Sequence, residues 1–493
     1  MFGIPEADRL IQQAEVLRGN GDRDGAERLL QQALALDPDH LLAATRLGEI
    51  AVDRKDPARA MDLLRPVLVR EPAFAPAWGA LAHAAWVSGD PRTGLRHARR
   101  AMEIQPQNPH LRLLLAQFLV WLDRHREVPH LLAPLLEADQ PVPAIRARAM
   151  SMMGEMHVAA GNEAAADDWF RAALALVPGL VATRLALGMN RLRQGDYEEG
   201  LREYEIRAQV TFFHPAGPPT RPGKPWRGED LRGRSILIED EQGFGDAVNF
   251  FRYIRLLRAR GAARIVLQTY PPLVPLFRAS DPALQIVDAR PADFTPDFHC
   301  FSASLPHAFE TRVATIPAEI PYLTAPALRT RPHLRLPPTE RKRVGIVWSG
   351  DPRHLRDHFR SVPAARFLTL TDRADLEFVS LQASVREEDR AALTARSAIW
   401  RLGDQLRDYG DTAAVIEQLD LVIGVDTSVV HVAGALGRPV WILLPLSPDW
   451  RWILGRDDTP WYPTARLFRC DRRGWAPVLR RVATALDAFV AGA

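Results

Sequence analysis

Cysteine is nearly missing from the chain: Cys300 and Cys470 are the two in 493 residues. So small a number excludes a disulfide framework as the organiser of the fold, and a reducing compartment is expected. The first residues, Met1-Phe2-Gly3-Ile4-Pro5-Glu6, lack the basic stretch and apolar run of a signal peptide, so a cytoplasmic location is expected. Long hydrophobic runs are lacking too. The longest, residues 419–444, is broken by Asp426, His431 and Arg438, which excludes an integral membrane segment. Charge of one sign is also lacking: 63 Lys and Arg stand against 60 Asp and Glu, for a formal net charge of +3, and this gives no reason to expect a nucleic-acid partner. No D-x-D lies between residues 235 and 493, whereas Asp22-Arg23-Asp24 and Asp37-Pro38-Asp39 occur far upstream. Zinc-ligand clusters, a P-loop and a serine nucleophile elbow are absent as well. No metal or other cofactor is therefore expected.

What is present begins with a repeat. Length and a 47% apolar composition exceed what one core usually supports, so two or more domains are expected. Pro38, Pro72 and Pro106 lie 34 residues apart, a period that marks helix-turn-helix repeats. Gly21-Asp22, Lys55-Asp56, Gly89-Asp90 and Asp123-Arg124 keep the same step. Gly161-Asn162 and Gly195-Asp196 continue it after four extra residues. Small residues follow each turn, at Ala26, Ala60, Gly94, Ala166 and Gly200, where helix backbones must approach closely. About six units are expected over residues 1–210, the fourth degenerate because Pro129, Pro134 and Pro141 interrupt it. One unit cannot bury its apolar stripe alone, so stacking builds the core and leaves a concave face. Trp78, Trp86, Trp121 and Trp169 read first as core packing and second as ligand contacts.

Residues 211–234 then change character. Pro215, Pro218, Pro219, Pro222 and Pro225 fall within eleven residues, which no helix tolerates, so a proline-rich linker is expected, with Trp226 docking on a neighbouring domain. Beyond it, short apolar strands alternate with helices. Strands are expected at 235–239, 264–269, 284–288 and 297–300, within a first unit spanning 235–325. A second set is expected at 344–348, 376–381, 419–425 and 440–444, within a unit spanning 340–493. Continuous apolar strands with helical crossovers imply parallel sheets covered on both faces. Ligands bind such sheets at the carboxyl ends of the strands, so the active site is expected between the two units.

Two motifs occupy such strand ends. Glu241-Gln242-Gly243-Phe244-Gly245-Asp246 follows the first strand and precedes a helix expected over 247–260. Its glycines let backbone approach a ligand, and Asp246 at a helix start serves as a cap or as a catalytic carboxylate. Gly424-Val425-Asp426-Thr427-Ser428-Val429-Val430-His431 runs from a strand into a helix, offering hydroxyls and free N–H groups to an anion. His431 reads equally as donor contact or as packing. Weaker elements are Ser349 and Gly350 after another strand, leading through His354 and Asp357 to Arg360, a cation for a leaving phosphate or simply a surface arginine. Ser380 and Gln382 stand where a nucleobase or ribose would be read, and Asp411 begins a helix as its cap.

Leu187-Gly188, Gly195-Asp196-Tyr197 and Tyr204 resemble the tetratricopeptide repeat. The G-x-G-D loop with Phe251-Arg252-Tyr253 and Arg260-Gly261-Ala262, and the D-T-x-x-x-H element, resemble the ADP-heptosyltransferase-like family, glycosyltransferase family nine. The tail Asp449-Trp450-Arg451-Trp452, Pro460-Trp461-Tyr462-Pro463 and Arg466-Leu467-Phe468-Arg469 is similar to that of bacterial proteins fusing such repeats to this transferase, flagellin glycosyltransferases among them. The resemblance implies a tetratricopeptide α-solenoid followed by two Rossmann-like α/β units of GT-B type. It implies an inverting, metal-independent transfer from a nucleotide-sugar to a protein acceptor, such as flagellin Ser or Thr, recruited by the repeats. Asp246 would be the general base, with Gln242, Gly243 and Gly245 in the acceptor-side loop. The donor would lie near Ser349, Gly350, Arg360, Ser380, Gln382, Asp426, Thr427, Ser428 and His431. The loop departs from the Ser-Met-Gly-Asp of heptosyltransferases, which leaves hexosyl, heptosyl and nonulosonyl transfer open. Transfer to lipopolysaccharide or another glycan, and a non-catalytic scaffold with a decayed transferase fold, are the alternatives.

Overall fold

The structure is a computed structural model and describes residues 5–137, 142–209, 221–291, 293–352 and 357–492. It divides into two compact units, Met1–Gly179 and Leu180–Ala493. In the first unit, five helical hairpins follow one another: Pro5–Gly19 with Arg23–Leu36, Leu41–Asp53 with Pro57–Arg70, Ala75–Val87 with Pro91–Ile104, Pro109–Trp121 with Val128–Leu136, and Pro143–Ala159 with Glu163–Leu176. The recurring Gly-Asp pair explains the turns. Gly21, Gly89 and Gly161 take φ of 85°, 85° and 73°, left-handed values open to glycine at no steric cost. Asp22, Asp56 and Asp90 then cap the next helix, each side chain accepting a hydrogen bond from the backbone N–H three residues on. The small residues are where helices cross: Ala26, Ala60 and Ala166 have no exposed surface. The fourth hairpin keeps both helices, the second shortened to Val128–Leu136 with Pro129 in its first turn and Pro134 inside; Pro141 lies outside the described residues. The tryptophans pack. Trp86 and Trp121 stack with ring centroids 3.8 Å apart, and Trp78 donates Nε1–H to the Pro72 carbonyl at 2.9 Å.

The sixth hairpin, Val181–Arg193 with Tyr197–Tyr204, belongs to the second unit. The boundary expected near residue 210 thus falls about thirty residues earlier, at 179/180. The physical reason is that Tyr197, Leu201 and Tyr204 bury themselves in the same core as Trp226, Ile236, Trp450 and Trp461.

That core lies between two parallel sheets. The first orders its strands β1-β5-β2-β3-β4, with β1 Lys224–Pro225, β2 Ser235–Glu239, β3 Arg264–Gln268, β4 Gln285–Val287 and β5 Phe298–Phe301. The second runs β11-β10-β9-β6-β7-β8, with β6 Lys342–Val347, β7 Leu376–Ser380, β8 Trp400–Arg401, β9 Leu421–Val425, β10 Val440–Leu444 and β11 Ala465–Arg469. All pairings are parallel, as the continuous apolar strands require. Both sheets fall in one compact unit rather than in two separable ones, because the elements between and beyond them share the core. Residues 221–234 are also no linker. Lys224–Pro225 forms an edge strand, a place where proline is tolerated, and Trp226 packs edge-on against Phe309 with ring centroids 5.2 Å apart. Pro215, Pro218 and Pro219 lie outside the described residues.

The crossing positions are testable. A Cβ on Gly94 would sit 2.4 Å from Phe118 Cε1 and 2.9 Å from the Ala82 carbonyl oxygen. Gly94→Ala should therefore destabilise the first unit by about 1–3 kcal/mol, read by urea unfolding, despite the better helix propensity of alanine.

Candidate functional site

The carboxyl end of β2 leads into the turn of residues 240–243 and then the short helix Phe244–Phe250. The carboxyl end of β9 leads through Asp426 and Thr427 into the helix Ser428–Ala435. These two starts, one from each sheet, meet. A Cβ on Gly245 would lie 2.8 Å from His431 Cδ2 and 3.5 Å from Ser428 Cα, so only glycine admits this approach. The structure thereby brings together the two motifs singled out in the sequence.

Asp246 occupies the third position of its helix, and its Oδ2 accepts the Gly243 N–H at 2.9 Å. The capping role is therefore real. Its Oδ1 lies 2.5 Å from Arg451 Nη2, and 21% of its side chain stays exposed. Burial pushes the Asp246 carboxyl upward from the ordinary range, and Arg451 opposes that shift. Arg451 is buried, bonds Asp449 Oδ1 through Nη1 at 2.9 Å and lies over the rings of Trp450 and Phe250 at 4.3 and 4.8 Å.

On the other side, Thr427 is extended and makes no side-chain cap bond; its buried Oγ1 has no hydrogen-bond partner among the described residues. Ser428 Oγ lies 2.6 Å from Tyr409 OH. Arg360 donates Nη1–H to the Asp426 carbonyl at 2.9 Å, which sets a guanidinium beside the helix start. Gly350 makes room for it: a Cβ there would be 2.5 Å from Arg360 Nη2. Ser349 Oγ is buried and lacks a hydrogen-bond partner among the described residues. Burial, with Asp449 next, raises the Asp426 carboxyl. His431 is buried, its Nδ1 2.9 Å from Tyr462 OH and its Nε2 3.8 Å from Asp426 Oδ1. Burial pushes its imidazole down to about 3, so it is neutral near pH 7 and contributes no cation.

Three expected residues have other work. The Gln382 carboxamide accepts from the N–H groups of Trp348 and Ser349 at 3.2 and 3.1 Å and donates to the Ser349 and Ser384 carbonyls, both at 3.1 Å, so it braces the loop. Ser380 is buried beneath it, its Oγ 3.4 Å from the Gln382 N–H. Asp408, and not Asp411, caps the helix Tyr409–Ile416; Asp411 instead binds Arg331 and the Arg407 N–H. His354 lies outside the described residues.

Gln242, expected in the acceptor-side loop, takes φ of 69° and exchanges hydrogen bonds between its carboxamide and Tyr204 OH at 2.7 and 2.9 Å. Other residues are given no role by the sequence. Glu241 is held by Arg207, through Nη2 at 2.6 Å and Nε at 3.0 Å. Phe244 is 37% exposed, with the rings of Tyr270 and Tyr409 edge-on at 5.2 and 5.3 Å. Arg252 is fully buried, donating to the carbonyls of Asn249, Trp461 and Pro317 and to Tyr322 OH. For Arg451 a signal existed: an arginine flanked by Trp450 and Trp452 announces a buried cation.

Two family models match parts of the chain. The tetratricopeptide repeat model matches residues 17–84 and 85–150. The model described as glycosyltransferase family 9 (heptosyltransferase) matches residues 408–447, which hold the helix Tyr409–Ile416, β9, the helix Ser428–Ala435 and β10. The chain joins tetratricopeptide repeats to a glycosyltransferase family 9 domain. Among curated relatives, Protein FlbA of Caulobacter vibrioides is 29% identical over 336 residues, 61% of this chain and 54% of that protein. The chain thus spans about half the length of the curated relative it matches. Among solved structures, a glycosyl transferase family 9 protein from Veillonella parvula is 12% identical with a TM-score of 0.42, over 54% of this chain and 100% of that one. A thermophilic TPR protein of Thermus thermophilus is 18% identical with a TM-score of 0.34, over 38% of this chain and 99% of that one. No helix among the described residues is long and apolar enough to cross a membrane.

The ion pair at the heart of the transferase domain has a titration signature. Since the Arg451 cation lowers the Asp246 carboxyl against burial, Arg451→Gln should move its ionisation to higher pH. A carboxyl-carbon NMR titration in a variant that still melts cooperatively reads the shift directly.

Proposed function

We propose that the chain is an inverting glycosyltransferase that moves a sugar from a nucleotide-sugar to a protein hydroxyl, with Asp246 as general base and the Thr427–Ser428 helix start as donor site. The observation that carries this reading is the contact of Gly245 with His431 and Ser428, which puts a half-buried carboxylate beside an anion-ready helix start. The N–H groups and dipole of that helix favour a phosphate. The unpartnered Thr427 and Ser349 hydroxyls and the Arg360 guanidinium add donors for the charge that builds on the leaving group. The acceptor oxygen attacks the anomeric carbon opposite the phosphate. Its proton passes to Asp246, and the bond to the nucleotide breaks with its electron pair. A single displacement of this kind inverts the anomeric centre. Phe244 and its flanking tyrosines exclude water from that line of attack.

Metal independence is part of the same proposal, since residues 235–493 offer no D-x-D and the leaving charge falls on the helix start and arginines. Tetratricopeptide repeats imply protein interaction, so the acceptor is a protein held by the array. The resemblance of the tail to flagellin glycosyltransferases makes a flagellin Ser or Thr the first substrate to try.

Incubating the full chain with flagellin and UDP-, GDP-, ADP- or CMP-sugars, and weighing the acceptor by mass spectrometry, tests the reading. Transfer should survive excess EDTA. Asp246→Asn should bind donor normally and lose transfer by about 10²–10⁴-fold, because an amide cannot accept the proton; a near-normal rate would return Asp246 to capping alone.

The compact boundary adds a second expectation. Residues 180–493 should fold and slowly hydrolyse the donor, with water in place of the hydroxyl. They should modify the acceptor poorly at low concentration, since the local concentration supplied by the repeats is gone. Full efficiency without residues 1–179 would recast the array as a binder of some other partner.

A further inference from the structure

We propose that the sixth hairpin, with the 3-10 helix Glu205–Gln209 that follows it, is a positioning element of the transferase, acting through Tyr204 and Arg207 on the turn that leads to Asp246; this rests on the reading of Asp246 as the base. At its two ends the turn is tied by the Asp240 N–H to the Gln268 carbonyl and by the Gly243 N–H to Asp246 Oδ2, both at 2.9 Å. It leaves β2 at Glu239, passes through Gln242 at φ 69° and ends at Gly243, the cap of the helix that carries Asp246; the left-handed conformation costs a residue with a Cβ about 1–2 kcal/mol. Such a conformation persists only where its surroundings enforce it. Here part of the enforcement comes from outside the sheet. Tyr204 OH takes both polar atoms of the Gln242 carboxamide, at 2.9 and 2.7 Å, while Tyr270 OH donates to the Gln242 carbonyl at 2.8 Å. One residue earlier, the fully buried Arg207 grips Glu241 with two nitrogens. The arginine is itself oriented, by Glu205 at 2.7 Å and Ser304 Oγ at 2.6 Å.

The same hairpin also holds the opposite wall of the site. Tyr197 OH accepts the Trp461 Nε1–H at 3.1 Å, and the rings of Tyr197 and Tyr204 each meet Trp450 edge-on at 5.9 Å. The Arg193 carbonyl accepts the Leu454 N–H at 2.8 Å. Trp450 adjoins Arg451, the partner of Asp246. The final repeat thus fixes the base from its own turn and from the segment bearing its counter-charge. Neither Tyr204 nor Arg207 has to touch substrate for this.

The test uses the full chain carrying Tyr204→Phe, which deletes one hydroxyl and keeps the ring, and Arg207→Lys, which keeps the charge and loses the fork. Hydrogen exchange of the amides from 241 to 246 reads position without reference to activity. It should quicken about tenfold or more in Tyr204→Phe, with the amides of β2 and of the first unit unchanged. In parallel, kcat for transfer should fall about 10- to 100-fold while donor Kd stays within about twofold, as expected of a misplaced base, and the acid limb of the pH–rate profile should shift. Unchanged exchange and unchanged kcat in a folded Tyr204→Phe variant would overturn the proposal. So would a fall in melting temperature with no change in kcat or pH profile in either variant, since that is the mark of plain structural support. If exchange quickens but the unmodified chain transfers no sugar, the positioning stands and the assignment of the base fails.

Discussion

The ion pair between Arg451 and Asp246 is the constraint on which the second unit turns. Its two members come from different sheets, one from the turn after β2 and the other from the segment after β10. Each has one further anchor, Asp246 in the Gly243 N–H that it caps and Arg451 in Asp449. The guanidinium is buried between two carboxylates and two aromatic faces, so separating it from either partner would leave an unmatched charge in a poorly solvated place. Losses of about 3–5 kcal/mol follow when one member of such a pair is removed. That loss measures the uncompensated charge left behind, and not a net stability supplied by the pair.

Around it, the seam between the sheets is defined by what is small. Gly245 lets one helix start lie against another, and Gly350 lets Arg360 lie across the second. Into this close fit the chain places the Thr427 and Ser349 hydroxyls, buried and without hydrogen-bond partners among the described residues. Buried polar groups without partners are costly.

Much of this was legible in the residues themselves. The 34-residue period found the hairpins because left-handed glycines and aspartate caps are local requirements. The apolar runs found β2, β6, β9 and β10 because a strand buried on both faces has no polar positions. What could not be read was tertiary in origin. β11 carries Arg466 and Arg469 and so lacks the apolar signature, yet it pairs along the whole of β10. The sixth hairpin obeys the repeat pattern as faithfully as its predecessors, and nothing in that pattern announces that Tyr197 and Tyr204 face a different core. Gln382 stood at the right strand end to meet a ligand, but a carboxamide there can equally brace the neighbouring loop, and only its four backbone partners decide the matter.

Arg252 carries a consequence of another kind. Among the described residues it forms no ion pair with a carboxylate; its partners are carbonyl and phenol oxygens and the faces of Tyr322, Trp461 and Tyr462. A guanidinium keeps its proton throughout the physiological range, so this is a permanent positive charge that the interior does not cancel, and it is felt as far as the His431 ring. Mobile ions screen surface charges over about a Debye length but reach buried ones far less. That part of the domain's positive field therefore persists as ionic strength rises, after the field of the surface arginines has been screened away.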